Sequence, residues 1–155
     1  MKFPKTKKGM VGLGAAVILA FSGGYAFQNI KESSSYRVID VKDGDTLTIE
    51  ANFLPPELGY KLGLRVIGVN TPEKGARAEC DYEARLGEKA SEFTRRKIET
   101  AKTINIKLLG WDKYGGRVIG EVIIDGKSLS NMLLQEKLAH AYDGKSAKQS
   151  WCKKR

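Results

Sequence analysis

The chain has 155 residues, with 27 Lys and Arg against 18 Asp and Glu, a formal net charge of +9 at pH 7. That is one domain's length, and 41% hydrophobic with 29% charged residues excludes wholesale disorder. One histidine (His140) and two cysteines (Cys80, Cys152) exclude zinc sites that need four His/Cys ligands and any two-histidine acid–base pair, which points the chemistry to carboxylates, arginines, lysines and tyrosines.

Lys2, Lys5, Lys7 and Lys8 precede an uncharged run from Met10 to Phe27, the basic and apolar regions of an export signal; Gly12, Gly14, Gly23 and Gly24 make it a poor soluble helix. Two outcomes stay open. Gly24-Tyr25-Ala26 offers a cleavage site after Ala26, while about 18 apolar residues are also enough to span a bilayer. Residues 1–27 therefore read as a signal peptide or N-terminal membrane anchor, residues 28–35 as a polar linker and residues 36–155 as the folded domain. The expected location is exported, periplasmic or secreted, with a tether to the inner membrane through residues 10–27 if the segment is retained.

Four of the basic residues and none of the acidic ones lie in residues 1–26, so the remainder has 23 basic and 18 acidic side chains, a net +5. Between Lys137 and Arg155 six basic residues (Lys137, Lys145, Lys148, Lys153, Lys154, Arg155) face Asp143 alone, which suits a polyanion or a solvated terminus. In an exported chain an even cysteine count points to a disulfide between Cys80 and Cys152; two unpaired thiols are the alternative.

Tyr36–Val41 and Asp45–Ala51 are β-rich runs joined by Lys42-Asp43-Gly44, a hairpin signal. Pro55, Pro56 and Gly59 force residues 52–60 out of a central strand. A third strand, Leu62–Val69, carries Arg65 inside it and ends at Asn70-Thr71-Pro72-Glu73. Leu86, Ala90, Phe93 and Ala101 then share one face of an amphipathic helix. Ile104–Leu109 and Arg117–Ile124 are two more strands around the loop from Gly110 to Gly116. Asp125-Gly126 turns the chain toward a second helix over Ser128–Ala139, with Ser128 as N-cap. Three strands, a helix, two strands and a helix give an α+β, mainly β class: a five-stranded OB-fold Greek-key barrel, with a helix after strand 3 and a second after strand 5.

Fold class alone leaves function open. Three segments carry the polar side chains: Asp43-Gly44-Asp45-Thr46, Arg65 with Asn70-Thr71-Pro72-Glu73, and Asp112-Lys113-Tyr114-Gly115-Gly116-Arg117. Singly each is an ordinary turn. Together, in this order on this strand pattern, they resemble the staphylococcal nuclease (thermonuclease) family from about Tyr36 to Tyr142.

The resemblance implies a calcium-dependent endonuclease that hydrolyses DNA and RNA with little sequence preference and leaves 3′-phosphate ends. It makes Asp45, Asn70 and the carbonyl of Thr71 the Ca2+ ligands, Glu73 the base for the attacking water, and Arg65 and Arg117 the catalytic arginines that grip the scissile phosphate. Lys113, Tyr114 and Tyr142 correspond to nucleotide-pocket residues. Hard oxygen donors and guanidinium forks suit that chemistry. Asn70 stands where the family usually has aspartate, which removes one negative charge from the metal site, and Gly116 adds a residue before Arg117, which in a regular strand would reverse the side chain. Trp111 reads as packing at a strand end, Trp151 as cover for the barrel bottom or the cystine, and His140 as surface or locally hydrogen-bonded. A monomer is expected. The alternative function is a non-catalytic OB-fold module that binds single-stranded nucleic acid through its basic surface.

Overall fold

A computed structural model describes residues 36–113 and 115–152. The signal or anchor segment, the linker, Tyr114 and the terminal Lys153, Lys154 and Arg155 lie outside the described residues. Among the described residues no helix is long and apolar enough to cross a membrane.

The class is α+β and mainly β. In chain order the elements are β1 (Val38–Asp43), β2 (Thr46–Glu50), β3 (Lys61–Val66), β4 (Val69–Asn70), α1 (Asp81–Glu99), β5 (Ile104–Trp111), β6 (Arg117–Ile124), β7 (Lys127–Ser128), α2 (Leu129–Gln135) and β8 (His140–Ala141). One mixed sheet runs β1-β2-β3-β6-β5, with β7 added to β6, and β4 and β8 form a separate two-stranded sheet. The β3·β6 pair is parallel and the others antiparallel. Among the described residues no ladder joins β1 to β5, so hydrogen bonds do not close this sheet into the expected barrel.

Alternation places the core. Leu62, Leu64 and Val66 on β3, and Val118, Val122 and Ile124 on β6, are buried, with their partly exposed neighbours on the opposite face. α1 adds Phe93, and Leu129 and Leu133 of α2 are fully buried. Asp125 and Gly126 both have positive φ, 48° and 78°, the conformation of a two-residue hairpin turn, and they return β6 directly into β7.

Several boundaries differ from the sequence reading for identifiable reasons. The third strand does not run through to Val69: it stops at Val66, turns at Ile67-Gly68, where Gly68 has φ 84°, and resumes as β4 against β8. α1 begins at Asp81, ahead of the apolar face that Leu86 opens, and its first turn is anchored by a buried carboxylate and not by apolar residues. Glu83, 5% exposed, accepts from the backbone N–H of Glu73 (3.2 Å) and Glu79 (2.8 Å). α2 ends at Gln135, short of Ala139, where Lys137 takes φ 57°. Ser128 is its N-cap residue, but the side chain makes no cap bond.

Cys80, the N-cap residue of α1, is bonded to Cys152, with Cα atoms 6.2 Å apart. Trp151 beside it stacks on His140, which is half-buried in β8 rather than on the surface. Trp111 is 61% exposed at the end of β5, so it is not a packing residue.

Candidate active site

The two-residue turn Gly44-Asp45 between β1 and β2 puts Asp45 beneath the surface. Gly44 is required by contact rather than by φ: a Cβ there would lie 2.8 Å from both Ala90 Cβ and Thr71 Cγ2. Its carbonyl accepts from Thr94 Oγ1 at 2.7 Å, which pins the turn to α1. Asp45 is 1% exposed. Its Oδ1 accepts from the Arg65 guanidinium and from Thr46 Oγ1 (3.2 Å), and its Oδ2 from the backbone N–H of Thr71 (2.7 Å). Burial pushes the Asp45 carboxyl up from the usual range, against the opposing pull of the Arg65 charge and the Thr71 N–H.

Arg65 reaches Asp45 because it pairs with Thr46 across β2 and β3. Its Nη2 also donates to the Val69 carbonyl (3.2 Å) and to Asn70 Oδ1 (3.1 Å). These bonds use three of the guanidinium's five N–H donors. One cationic group is thus met by oxygens of Asp45 and Asn70 together, and Thr71 is tied to the same carboxylate. The convergent donors are all hard oxygens and the amide of Asn70 presents Oδ1 inward, so this set fits a cation such as calcium in kind, with a single carboxylate supplying its charge.

The Asn70–Glu73 turn is positioned by β4 pairing, Asn70 against His140, and by a close approach to α1. A Cβ on Gly87 would lie 2.8 Å from the Glu73 carbonyl carbon, 2.9 Å from the Pro72 carbonyl oxygen, and closer still to the Glu73 carbonyl oxygen. Glu73 emerges from this contact one-third exposed, between two cations: Arg77 Nε lies 3.3 Å from its Oε2 and Lys148 Nζ 3.2 Å from its Oε1. Arg77 Nη2 in turn donates to both oxygens of Asp43, at 2.7 and 2.8 Å.

Arg117 opens β6. The added residue is absorbed before the strand begins, in a loop where Gly115 and Gly116 take φ 69° and 71° and the Gly115 N–H donates to the Asp112 carbonyl (2.9 Å). In the parallel ladder Arg117 pairs with Gly63 and Ile119 with Arg65, so the two arginines lie on one face of neighbouring strands, two residues out of step. Strand geometry puts their Cα atoms about 8 Å apart. Arg117 is held through Nε by the carboxylate of Asp112. Burial raises the Asp112 carboxyl, but the hydrogen bond and charge of Arg117 outweigh it and hold it below the usual range.

Lys113 extends from the same loop and donates to the Gly144 carbonyl at 3.2 Å, while half-buried Tyr142 follows β8, its N–H bonded to the Gly68 carbonyl. The structure thus brings together Asp45, Arg65, Asn70, Thr71 and, one turn on, Glu73, with Arg117 on the same sheet face as Arg65. Arg77 and Lys148, which flank Glu73, and Asp43, which holds Arg77, carried no assignment from sequence: Arg77 is only four positions from Glu73, but the Asp43–Arg77 and Glu73–Lys148 contacts join residues 34 and 75 positions apart, and only the tail's positive charge was visible. Gly87 was detectable as a glycine inside a helix of good helix formers.

A second group of potential ligands, Glu79, Glu83 and Cys152, lies within 4.8 Å. It does not fit a metal, because the sulfur is in the disulfide and both Glu83 oxygens already accept backbone N–H groups.

Residues 63–154, more than half of the chain, match the family described as staphylococcal nuclease homologue. No curated protein is similar enough to the chain to match it. The matched span holds Arg65, Asn70–Glu73 and Arg117 but begins after Asp45, which joins them only through its contacts with Arg65 and Thr71.

Proposed function

The chain belongs to the staphylococcal nuclease homologues, and on that premise we propose that it is an exported, calcium-dependent endonuclease that hydrolyses DNA and RNA with little sequence preference and leaves 3′-phosphate ends. The observation that carries this reading is the buried Asp45 carboxylate shared by Arg65 and the Thr71 N–H, with Asn70 on the same guanidinium. A module that merely bound a polyanion would gain nothing from carboxylates facing phosphate. The sheet order with its parallel β3·β6 pair supports the finer OB-type reading of the fold. The cystine supports an oxidising, exported location.

In this reading Asp45, Asn70 Oδ1 and the Thr71 carbonyl hold the calcium ion, which when bound polarises the phosphodiester and lowers the pKa of water. Arg65 keeps two N–H donors beyond its protein bonds for a non-bridging phosphate oxygen. Arg117, on the same face, supplies a second fork, and the two guanidiniums stabilise charge that accumulates on the phosphoryl oxygens in the transition state. Glu73 orients the attacking water and takes its proton on a carboxylate oxygen. Lys113, Tyr114 and Tyr142 bind the nucleotide. Asp112 orients Arg117, and Asp43 orients Arg77.

The exposure of Trp111 favours one second reading, a non-catalytic module that stacks the bases of single strands. One experiment separates them: single-turnover cleavage of a labelled oligonucleotide with calcium or chelator, by wild type and Glu73→Gln, with affinity for the same strand at fixed salt. The nuclease reading expects calcium-stimulated cleavage that Glu73→Gln slows by about 10²-fold or more while binding survives. A Glu73→Gln rate within about three-fold of wild type removes the base role. Absence of cleavage by wild type leaves the binding module.

A further inference from the structure

The chain after β8 returns to the site. Asp143 Oδ1 starts the return by accepting from the N–H groups of Lys145 (2.9 Å) and Ser146 (2.9 Å) and from Ser146 Oγ (2.7 Å). At the far end Cys152 is covalently joined to Cys80, and Trp151 lies flat on His140, with ring centroids 3.6 Å apart and planes 5° from parallel. Between these anchors Lys148 sets its ammonium 3.2 Å from Glu73 Oε1, while Arg77 Nε faces Oε2 at 3.3 Å. Each oxygen of Glu73 has its own cation, so the carboxylate plane is fixed from two sides.

The two cations are held differently. Asp43 grips Arg77 through both carboxylate oxygens, and both residues belong to the body of the fold. Lys148 is half-exposed on a flexible stem, and its backbone stays near Glu73 because the segment is fastened at both ends. A carboxylate has about four lone-pair sites, so pairing one oxygen with an ammonium still leaves acceptors for water.

We propose that Lys148 is a positioning residue for cleavage, holding Glu73 in its working orientation, and that the Cys80–Cys152 disulfide maintains this contact by pinning residues 143–152 beside the site. The proposal rests on the reading of Glu73 as the base. Without Lys148 the carboxylate is restrained by Arg77 alone and spends less time aligned with the attacking water, a loss that falls on turnover rather than on substrate binding.

The test uses the full-length oxidised protein, calcium and one labelled oligonucleotide, with kcat and KM measured for wild type, Lys148→Ala, Lys148→Arg and Lys145→Ala before and after treatment with dithiothreitol. In that treatment the disulfide takes two electrons and two protons to become two thiols while dithiothreitol closes to its cyclic disulfide. Lys148→Ala should lower kcat about 5- to 20-fold with KM changed less than about two-fold, and Lys148→Arg should recover most of it. Lys145→Ala should match wild type. Reduction should lower wild-type kcat to a similar degree and leave Lys148→Ala nearly unchanged, because lysine and disulfide act through one contact. Circular dichroism of the reduced protein checks that the fold persists; if it does not, the oxidised Lys148 variants decide alone. A kcat for Lys148→Ala within about two-fold of wild type, or above it, overturns the proposal, as does a reduction effect of equal size in both proteins of intact fold. Wild type that cleaves while Lys148→Ala is unaffected sinks this inference alone, whereas wild type that does not cleave sinks the nuclease reading and the inference with it.

Discussion

Gly87→Ala sets two calculable effects against each other. In the interior of a helix, replacing glycine by alanine ordinarily stabilises by about 1 kcal/mol, because glycine gives up more backbone freedom on folding. Here the new Cβ would sit 2.8 Å from the Glu73 carbonyl carbon and 2.9 Å from the Pro72 carbonyl oxygen. Both are backbone atoms, and 2.8 Å is about 1 Å inside ordinary carbon–carbon contact. The Asn70–Glu73 turn must therefore move away from α1 by a comparable distance, carrying Asn70, Thr71 and Glu73 with it. Overpacking of this kind costs about 1–3 kcal/mol, so the helical gain is cancelled or reversed. A displacement of about 1 Å at the reacting groups costs about 10²-fold in rate. The expectation is a protein that folds with a melting temperature at or below that of wild type and a kcat reduced by about two orders of magnitude. Thermal unfolding and single-turnover cleavage on the same preparation check both halves. A variant that is about 1 kcal/mol more stable and cleaves at the wild-type rate would falsify the contact argument.

Further consequences concern the metal, the cystine and the return segment. Asn70→Asp restores a second carboxylate beside Asp45 and should lower the half-activating calcium concentration; equal midpoints in a titration of cleavage rate against calcium would refute this. Replacing both Cys80 and Cys152 by serine should reduce stability by about 2–4 kcal/mol in denaturant unfolding, since the bridge closes a separation of 72 residues, and should slow but not abolish cleavage. Asp143 is held down to about 2, chiefly by the Ser146 N–H and hydroxyl, against an ordinary 3.8. A carboxyl depressed in the folded state stabilises it above the unfolded pKa and loses that contribution as pH falls toward 2, so an NMR titration of Asp143 should show a midpoint near 2, and a midpoint near 4 would contradict the turn.

The hairpin, the third and fifth long strands and an amphipathic first helix were legible because their periodicity is local: Leu62, Leu64 and Val66 alternate, and Asp125-Gly126 is a turn by its own conformational preference. Boundaries failed where tertiary contacts replaced that signal. α1 starts on Asp81 because Glu83 is buried against backbone N–H groups of the preceding loop, a role that no apolar pattern reports. β3 stops early because Val69 and Asn70 pair with Ala141 and His140 of β8, far along the chain. A tryptophan at a strand end usually packs, yet β5 ends beyond the core and leaves the Trp111 ring exposed.

By itself the sequence determined the chemical inventory of the candidate site: the three motifs that resemble the staphylococcal nuclease family single out Asp45, Arg65, Asn70, Thr71, Glu73 and Arg117, and a composition with one histidine points to carboxylates and guanidiniums as the reactive groups. Only the tertiary structure decided how that inventory is wired. Which sheet face Arg117 takes depended on the two left-handed residues ahead of β6 and on the ladder register with β3, which puts it on the face of Arg65. Gly44 and Gly87 became site residues because α1 lies against both turns closely enough to exclude a Cβ. Arg77 and Lys148 became partners of Glu73 because a loop and a disulfide-bound return segment converge on it. The physical reason is the same in each case: periodicity and turn chemistry act over a few residues, whereas steric exclusion and ion pairing depend on distances in space that the folded backbone alone establishes.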